Sequence, residues 1–207
     1  SFSKDYKKVP IVEFDDIQIN DSAPIINYIT ENLIKKDNIN SNQFITKDTN
    51  KWDEWSEKKL AVMLYPNITR SMNESYECFG YTEDVLEWNP ITRIFTRLAG
   101  TLAMTLANSK IKNKYNIINE REELNAMLIK DFIEDKNGLN NGNNKYINGN
   151  IITLSDIMVY GVLHSIEGLT AFNEIMNKDE PANKILKIWY QNVQNQVPSC
   201  EMIKAKA

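Results

Sequence analysis

Cysteine and histidine are almost missing from this chain. Its 207 residues carry two cysteines, Cys78 and Cys200, and one histidine, His164. The two thiols lie far apart and form no C-x-x-C pair, which excludes a disulfide framework and points to a reducing compartment. A single histidine with no Cys/His cluster excludes a structural zinc site. Positive charge is not in excess either. Lys and Arg number 24 against 28 Asp and Glu, a net charge of −4. That balance gives no electrostatic case for nucleic acid or for an anionic membrane surface. No apolar run approaches the ~18–20 residues that a spanning helix needs. The first residues, SFSKDYKK, are polar and basic and do not read as a signal peptide. The chain is expected to be intracellular, facing the cytoplasm, with no membrane insertion of its own.

What is present is ordinary globular composition, 42% hydrophobic and 25% charged. The length suffices for one full core, or one core plus a partial domain. Asn20, Asn67 and Asn73 each begin an N-x-[ST] triplet, but such matches arise by chance in an Asn-rich chain without a secretory signal.

The rest of the chain is organised around Val9 to Ser22, VPIVEFDDIQINDS. Val9–Phe14 is a short apolar run beginning with an X-Pro pair. Asp15-Asp16 makes a turn, and Ile17 and Ile19 alternate with Gln18 and Asn20 as in a half-buried strand. Asn20-Asp21-Ser22 then opens a helix predicted from about Ala23 to Ile34. Pro10 lacks an N–H and tolerates a cis bond, so a peptide could pair as an added strand with the backbone of Val9. Asp21 and Ser22 sit where orphan N–H groups and the helix dipole favour a carboxylate. The other reading is a proline at the start of a strand and two plain N-caps, and caps are far commoner than ligand sites.

Further along, 37–50 is polar and reads as a linker. A helix from near Thr49 gathers Trp52, Trp55, Leu60, Val62, Met63 and Leu64, and Pro66 is expected to stop it. Tyr76, Phe79, Tyr81 and Trp88 are expected to cover a cleft between the two parts of the molecule. Asn89-Pro90 starts a helix to about Ser109, whose Gly100, Ala103 and Ala107 suggest a central packing helix. Lys110, Lys112 and Lys114 follow, either complementing the helix C-terminus or supplying counter-charge for a ligand carboxylate. A helix from about Glu120 to Glu134 turns Leu124, Met127, Leu128 and Ile133 inward. Residues 136–150 are a Gly/Asn stretch without periodicity, expected to be a flexible loop.

The strongest fold signal is late. Thr153-Leu154-Ser155-Asp156 is a capping box, with Ile152 and Ile157 placed as its hydrophobic staple. The helix behind it, to about Glu167, is apolar on nearly every side and therefore buried. Gly168 closes it. His164 is expected to be partly buried with a backbone partner. Pro181 starts a last amphipathic helix.

Several of these segments resemble one family. Val-Pro, a hairpin, then an acidic residue and Ser at a helix start resemble the glutathione site of the glutathione transferase superfamily. KKVPIV, INDS, WDEW with the following LYPNITR, and LSDIMVYGVLHSIEGLTAF are similar to its prostaglandin E synthase type 2 branch. The resemblance implies an α+β, mostly helical fold: a partial thioredoxin-like unit (1–36), a linker (37–50) and an all-α domain (51–207). It implies isomerisation of prostaglandin H to prostaglandin E, with glutathione as cofactor and haem beside it. Val9 and Pro10 would then pair with the glutathione backbone, and Asp21 and Ser22 would hold its γ-glutamyl end. The family's C-x-x-C thiol motif does not occur in this sequence, so no catalytic residue is assigned. The alternative is a non-catalytic member of the superfamily that binds a small-molecule ligand or a partner. Any membrane anchor of the family's kind would lie upstream of Ser1. The strand at Val9–Phe14 has an open edge, so two copies could pair there as a homodimer.

Overall fold

Contacts in the computed structural model divide the chain into two compact units, Ser1–Thr46 and Lys47–Ala207. The structure describes residues 6–8, 10–14, 16–34 and 44–197. Half of the linker expected over 37–50, residues 37–43, therefore lies outside the described residues, and the next helix has already begun at Thr49. The fold is α+β and mostly helical: a hairpin and helix of thioredoxin-like type, then an all-α region.

In the first unit, β1 (Ile11–Phe14) and β2 (Ile17–Asn20) pair antiparallel, with Ile11 opposite Asn20 and Phe14 opposite Ile17. That register leaves a two-residue turn, in which Asp16 takes a φ of 67°. Positive φ is what tight hairpin turns demand, and Asp tolerates it better than most residues. Helix α1 (Ser22–Tyr28) follows and runs on as a π-helical segment, Ile29–Ile34. Pro24 lies in its first turn, where no helical N–H is needed, so it does not displace the helix start. Tyr28 stacks on Phe14 at 4.8 Å between ring centres, tying helix to strand.

In the second unit, α2 (Thr49–Trp55) continues through a π-helical turn, Ser56–Leu60, into α3 (Ala61–Ile68). Pro66 does not stop this helix, which carries the proline inside its last turn. Side chains bond the nearby carbonyls: Asn67 Nδ2 donates to Met63 O at 2.8 Å and Thr69 Oγ1 to Tyr65 O at 2.8 Å. Helix α4 (Met72–Cys78) and a 3₁₀ turn (Gly80–Asp84) give residues 72–84 more regularity than expected. Helix α5 (Pro90–Tyr115) is 26 residues long, one and a half turns beyond its expected end. Its lysines suit the helix C-terminus, and Asn116, left-handed at φ 55°, ends it. Helix α6 (Glu120–Met127) passes into a π-helical segment, Leu128–Ile133. Then come α7 (Leu154–His164), α8 (Thr170–Met176) and α9 (Pro181–Gln194).

The core lies in the second unit. Trp52, Phe132 and Trp189 are fully buried and meet edge to face, at 5.4 Å and 4.8 Å between ring centres. Such edge contacts add about 0.5–1.5 kcal/mol per pair beyond the area they bury. Helix α7 presents Val159, Tyr160 and Leu163 to this core, and α9 closes over it with Leu186 and Val193. Residues 136–150 are not a loose loop. Leu139 and Ile147 are fully buried, Tyr146 and Gly149 form a two-way backbone bridge, and Asn144 Nδ2 donates to Gly138 O at 2.8 Å. Two apolar anchors among asparagines are invisible to periodicity.

Helix α5 departs most from expectation. Only Thr101 and Asn108 are buried on it. Phe79 fills the groove at Gly100, as a small-residue face allows, but Ala103 is exposed. The helix therefore lies at the surface of its unit, with one apolar face uncovered.

Candidate functional site

The first unit brings three of the four residues of the expected ligand site to one corner. The register β1–β2 carries Pro10 alongside Asp21, and the Asp21 N–H donates to the Pro10 carbonyl at 3.0 Å. Asp21 is the N-cap of α1, its Oδ1 accepting from the Ser22 N–H at 2.9 Å. Pro10, Asp21 and Ser22 are all solvent-exposed. Val9 lies outside the described residues. Pro10 has no N–H to offer a peptide, and its carbonyl is already engaged by Asp21.

Asp21 carries backbone strain. Its φ of 77° and ψ of 149° place a non-glycine residue where almost only glycine goes. Such a conformation costs of order 1–3 kcal/mol, and strained residues cluster at ligand clamps and active sites. Here the strain turns the carboxylate back over the helix N-terminus while the peptide N–H bonds to β1.

The capping-box residues have a different environment. Asp156 and Thr153 are buried, at the start of α7. Asp156 Oδ2 accepts from the Thr153 N–H and hydroxyl, each at 2.9 Å. Its Oδ1 accepts from the Ile147 N–H at 2.8 Å and from Trp189 Nε1 at 2.9 Å. Burial pushes the Asp156 carboxyl up, and these four donors work against that. This carboxylate is a buried cross-link between the 136–150 segment, α7 and α9, with no opening to a ligand.

The PNITR motif is structural too. Asn67 Nδ2 donates to Glu120 O at 2.9 Å, and Arg121 reaches Asn67, Glu74 and Glu174. Arg70 pairs with Glu74 and Glu174. Two arginines and two glutamates from α3's end, α4, α6 and α8 thus lock four elements together. The network was not foreseen, because its members are scattered over a hundred residues. His164 is also held by side chains and not by backbone, with Nδ1 2.9 Å from the Tyr190 hydroxyl and 2.9 Å from Glu167 Oε2. Of the three lysines, Lys112 pairs with Glu120 and Lys114 lies over the Tyr115 ring.

No thiolate is supplied by the described residues. Cys78 donates to Ile68 O at 2.9 Å, and burial pushes its thiol up to about 11. At neutral pH it stays protonated, the opposite of a reactive cysteine. Cys200 lies outside the described residues. Among the described residues no group of acidic, Cys or His side chains could hold a metal ion, and no helix is long and apolar enough to cross a membrane.

The chain is similar to known proteins, among them two vertebrate relatives. The chain is 24% identical over 148 residues to prostaglandin E synthase 2 of Danio rerio, covering 72% of this chain and 37% of that protein. It is 23% identical over 150 residues to prostaglandin E synthase 2 of Mus musculus, covering 71% and 36%. The chain thus matches little more than a third of these relatives' length. No family model matches it. The similarity is a distant homology to prostaglandin E synthase 2-like proteins of the glutathione transferase superfamily.

Proposed function

We propose that this chain is a ligand-binding module of glutathione transferase type, which recognises glutathione or a similar small γ-glutamyl peptide at the Val9–Pro10/Asp21–Ser22 corner. The observation that carries this reading is the strained Asp21 bonded to Pro10 at an exposed helix start. The ligand's γ-glutamyl end offers an ammonium and a carboxylate. The Asp21 carboxylate suits the first; the Ser22 hydroxyl and the N–H groups opening α1 suit the second. The ligand's peptide middle would pair with the Val9 backbone as an added strand. Calorimetry tests it. Glutathione should bind the native chain, and Asp21→Ala with Ser22→Ala should abolish binding while leaving the circular dichroism spectrum unchanged. Equal affinity in the double variant means that the site is elsewhere.

The name of the relatives favours a second reading, isomerisation of prostaglandin H to prostaglandin E. Against residues 1–207 doing this alone stands Cys78, half-buried and protonated. Residues 1–207 should therefore turn over prostaglandin H at the spontaneous rate, and turnover well above it would favour the isomerase.

A further inference from the structure

The segment 136–150 and helix α9 border a cavity of about 350 Å³ in the second unit. Small-molecule sites run from ~300 to ~1,000 Å³, so this one has room for a single small ring. Helix α9 gives it an apolar lining of Ile185, Ile188 and Trp189. The rest of the lining is polar.

The polar part is held in place before any ligand arrives. Asn140, Asn141 and Gly142 take φ values of 48°, 53° and 85°, three left-handed residues in a row. They bring the segment against α9, where Ile185 lies 3.4 Å from the point at which a Gly142 Cβ would stand. Leu139 and Ile147, both fully buried, anchor the segment, and Tyr146 and Gly149 bridge its second half. A site already ordered loses little conformational freedom on binding.

The hydrogen-bonding groups of the lining are left with capacity to spare. An asparagine amide offers two N–H donors and a carbonyl acceptor. Asn143 Nδ2 donates to Asn140 O at 2.8 Å, and Asn144 Nδ2 to Gly138 O at 2.8 Å. Each commits its nitrogen to the backbone and leaves its Oδ1 unpaired among the described residues. Asn150 and Asn192 make no hydrogen bond through their amides among the described residues, so they keep donors and acceptor alike. Lys145 is the one charge in the lining, which contains no Asp or Glu. Its Nζ lies 5.2 Å from the Tyr146 ring centre, and no carboxylate pairs with it among the described residues.

These features select a ligand. A cation without a carboxylate disfavours a positive ligand and suits a single negative charge. A bare anion is a poor match, because it only accepts, and the lone pairs of Asn143 and Asn144 Oδ1 would repel it. Amides with both donors and acceptors free are best met by hydroxyls, which donate and accept at once. The apolar lining asks for C–H bonds beside those hydroxyls. A sugar ring with one acid group combines all three.

We propose that this cavity binds an acidic monosaccharide, with its acid group at Lys145, its hydroxyls on the asparagine amides and a C–H face on Ile185 and Ile188. The site is independent of the glutathione corner, since all of its residues belong to the second unit.

Titration of the full chain, followed by two-dimensional amide NMR, tests it. Glucuronate and glucose 6-phosphate are the acidic sugars, glucose the neutral one, acetate and inorganic phosphate the bare anions. At least one acidic sugar should shift the side-chain NH₂ signals of Asn150 and Asn192 saturably, and bind several-fold more tightly than glucose or either anion. Which of the two binds identifies the acid group as carboxylate or phosphate. Lys145→Gln should weaken that sugar about tenfold, the size of one charge-assisted hydrogen bond, and remove its advantage over glucose. Asn150→Ala with Asn192→Ala should abolish saturable binding. The melting temperature of that double variant should stay native, because neither amide is bonded within the fold. No saturable shift with either acidic sugar overturns the proposal. So does acetate, phosphate or glucose binding as tightly as the acidic sugars, or acidic-sugar binding that is unchanged in both variants.

Discussion

The buried Asp156 carboxylate accepts four hydrogen bonds, from Thr153, Ile147 and Trp189. A capping box alone contributes about 1 kcal/mol. Here the same carboxylate also accepts from Ile147 N–H and Trp189 Nε1 in a site closed to water. Asp156→Ala leaves those donors buried and unpaired, each costing about 1–3 kcal/mol. The expected loss is roughly 3 kcal/mol or more by the same reckoning, read as a fall in the urea midpoint with unchanged slope. Thr153→Ala, which leaves the backbone bond and the other two donors in place, should cost about 1 kcal/mol. Equal losses in the two variants would show that the long-range bonds add nothing. Half of this site is legible in the sequence and half is not, for a physical reason. Thr153 and Asp156 are three residues apart, a spacing that local helix geometry imposes. Ile147 and Trp189 lie 9 and 33 residues away, and only tertiary packing brings them to the carboxylate. Asp21 and Ser22 divide the same way. Their place at a helix start could be read directly, but the strained φ and the bond to Pro10 follow from hairpin register and appear only with coordinates.

At the scale of elements, glycines separate helix propensity from packing. Gly161 lies inside α7 with open space where a Cβ would go. Gly161→Ala should therefore stabilise by about 0.5–1 kcal/mol, by restricting the unfolded chain and removing a poor helix former. Gly138 sits where a Cβ would run into the Phe132 carbonyl, a backbone atom that cannot swing aside. Gly138→Ala should destabilise by about 2 kcal/mol or more, as overpacking does. Thermal melts of the two variants should shift in opposite directions; shifts of the same sign would mean that the turn at 138 is looser than its geometry implies. The elements themselves were read from periodicity with fair success where burial dominates, as at α7 and α9. Periodicity failed where a helix is exposed or a loop is anchored. The stripe on α5 is as regular as a core face, and pattern alone cannot tell a face buried in its own unit from one that faces outward. Leu139 and Ile147, two anchors in an asparagine-rich run, offer no period at all.

For the whole molecule, the core clusters of buried apolar side chains belong to the second unit, beginning at Trp52. Among its described residues the first unit has two four-residue strands, the helix Ser22–Tyr28 with its π-helical continuation, and the stacked pair Phe14 and Tyr28. A two-stranded hairpin alone is marginal in water, and among this unit's described residues Ile25 is the one buried apolar side chain. Unfolding should accordingly proceed in two stages, the first unit opening at lower free energy than the second. The chain allows the stages to be read apart. All four tryptophans, Trp52, Trp55, Trp88 and Trp189, lie in the second unit, so their fluorescence reports that unit alone. Hydrogen exchange reports both. Amides of Ile11–Phe14 and Ile17–Asn20 should exchange well before those of Leu154–His164, under conditions where tryptophan fluorescence is still native. Edge-to-edge pairing of β1 between two copies would protect the hairpin's amides as concentration rises. Hairpin amides as slow as those of α7 in a proven monomer would refute the two-stage picture, and would require the strand edge to be covered at a free-energy cost of opening close to that of the whole fold.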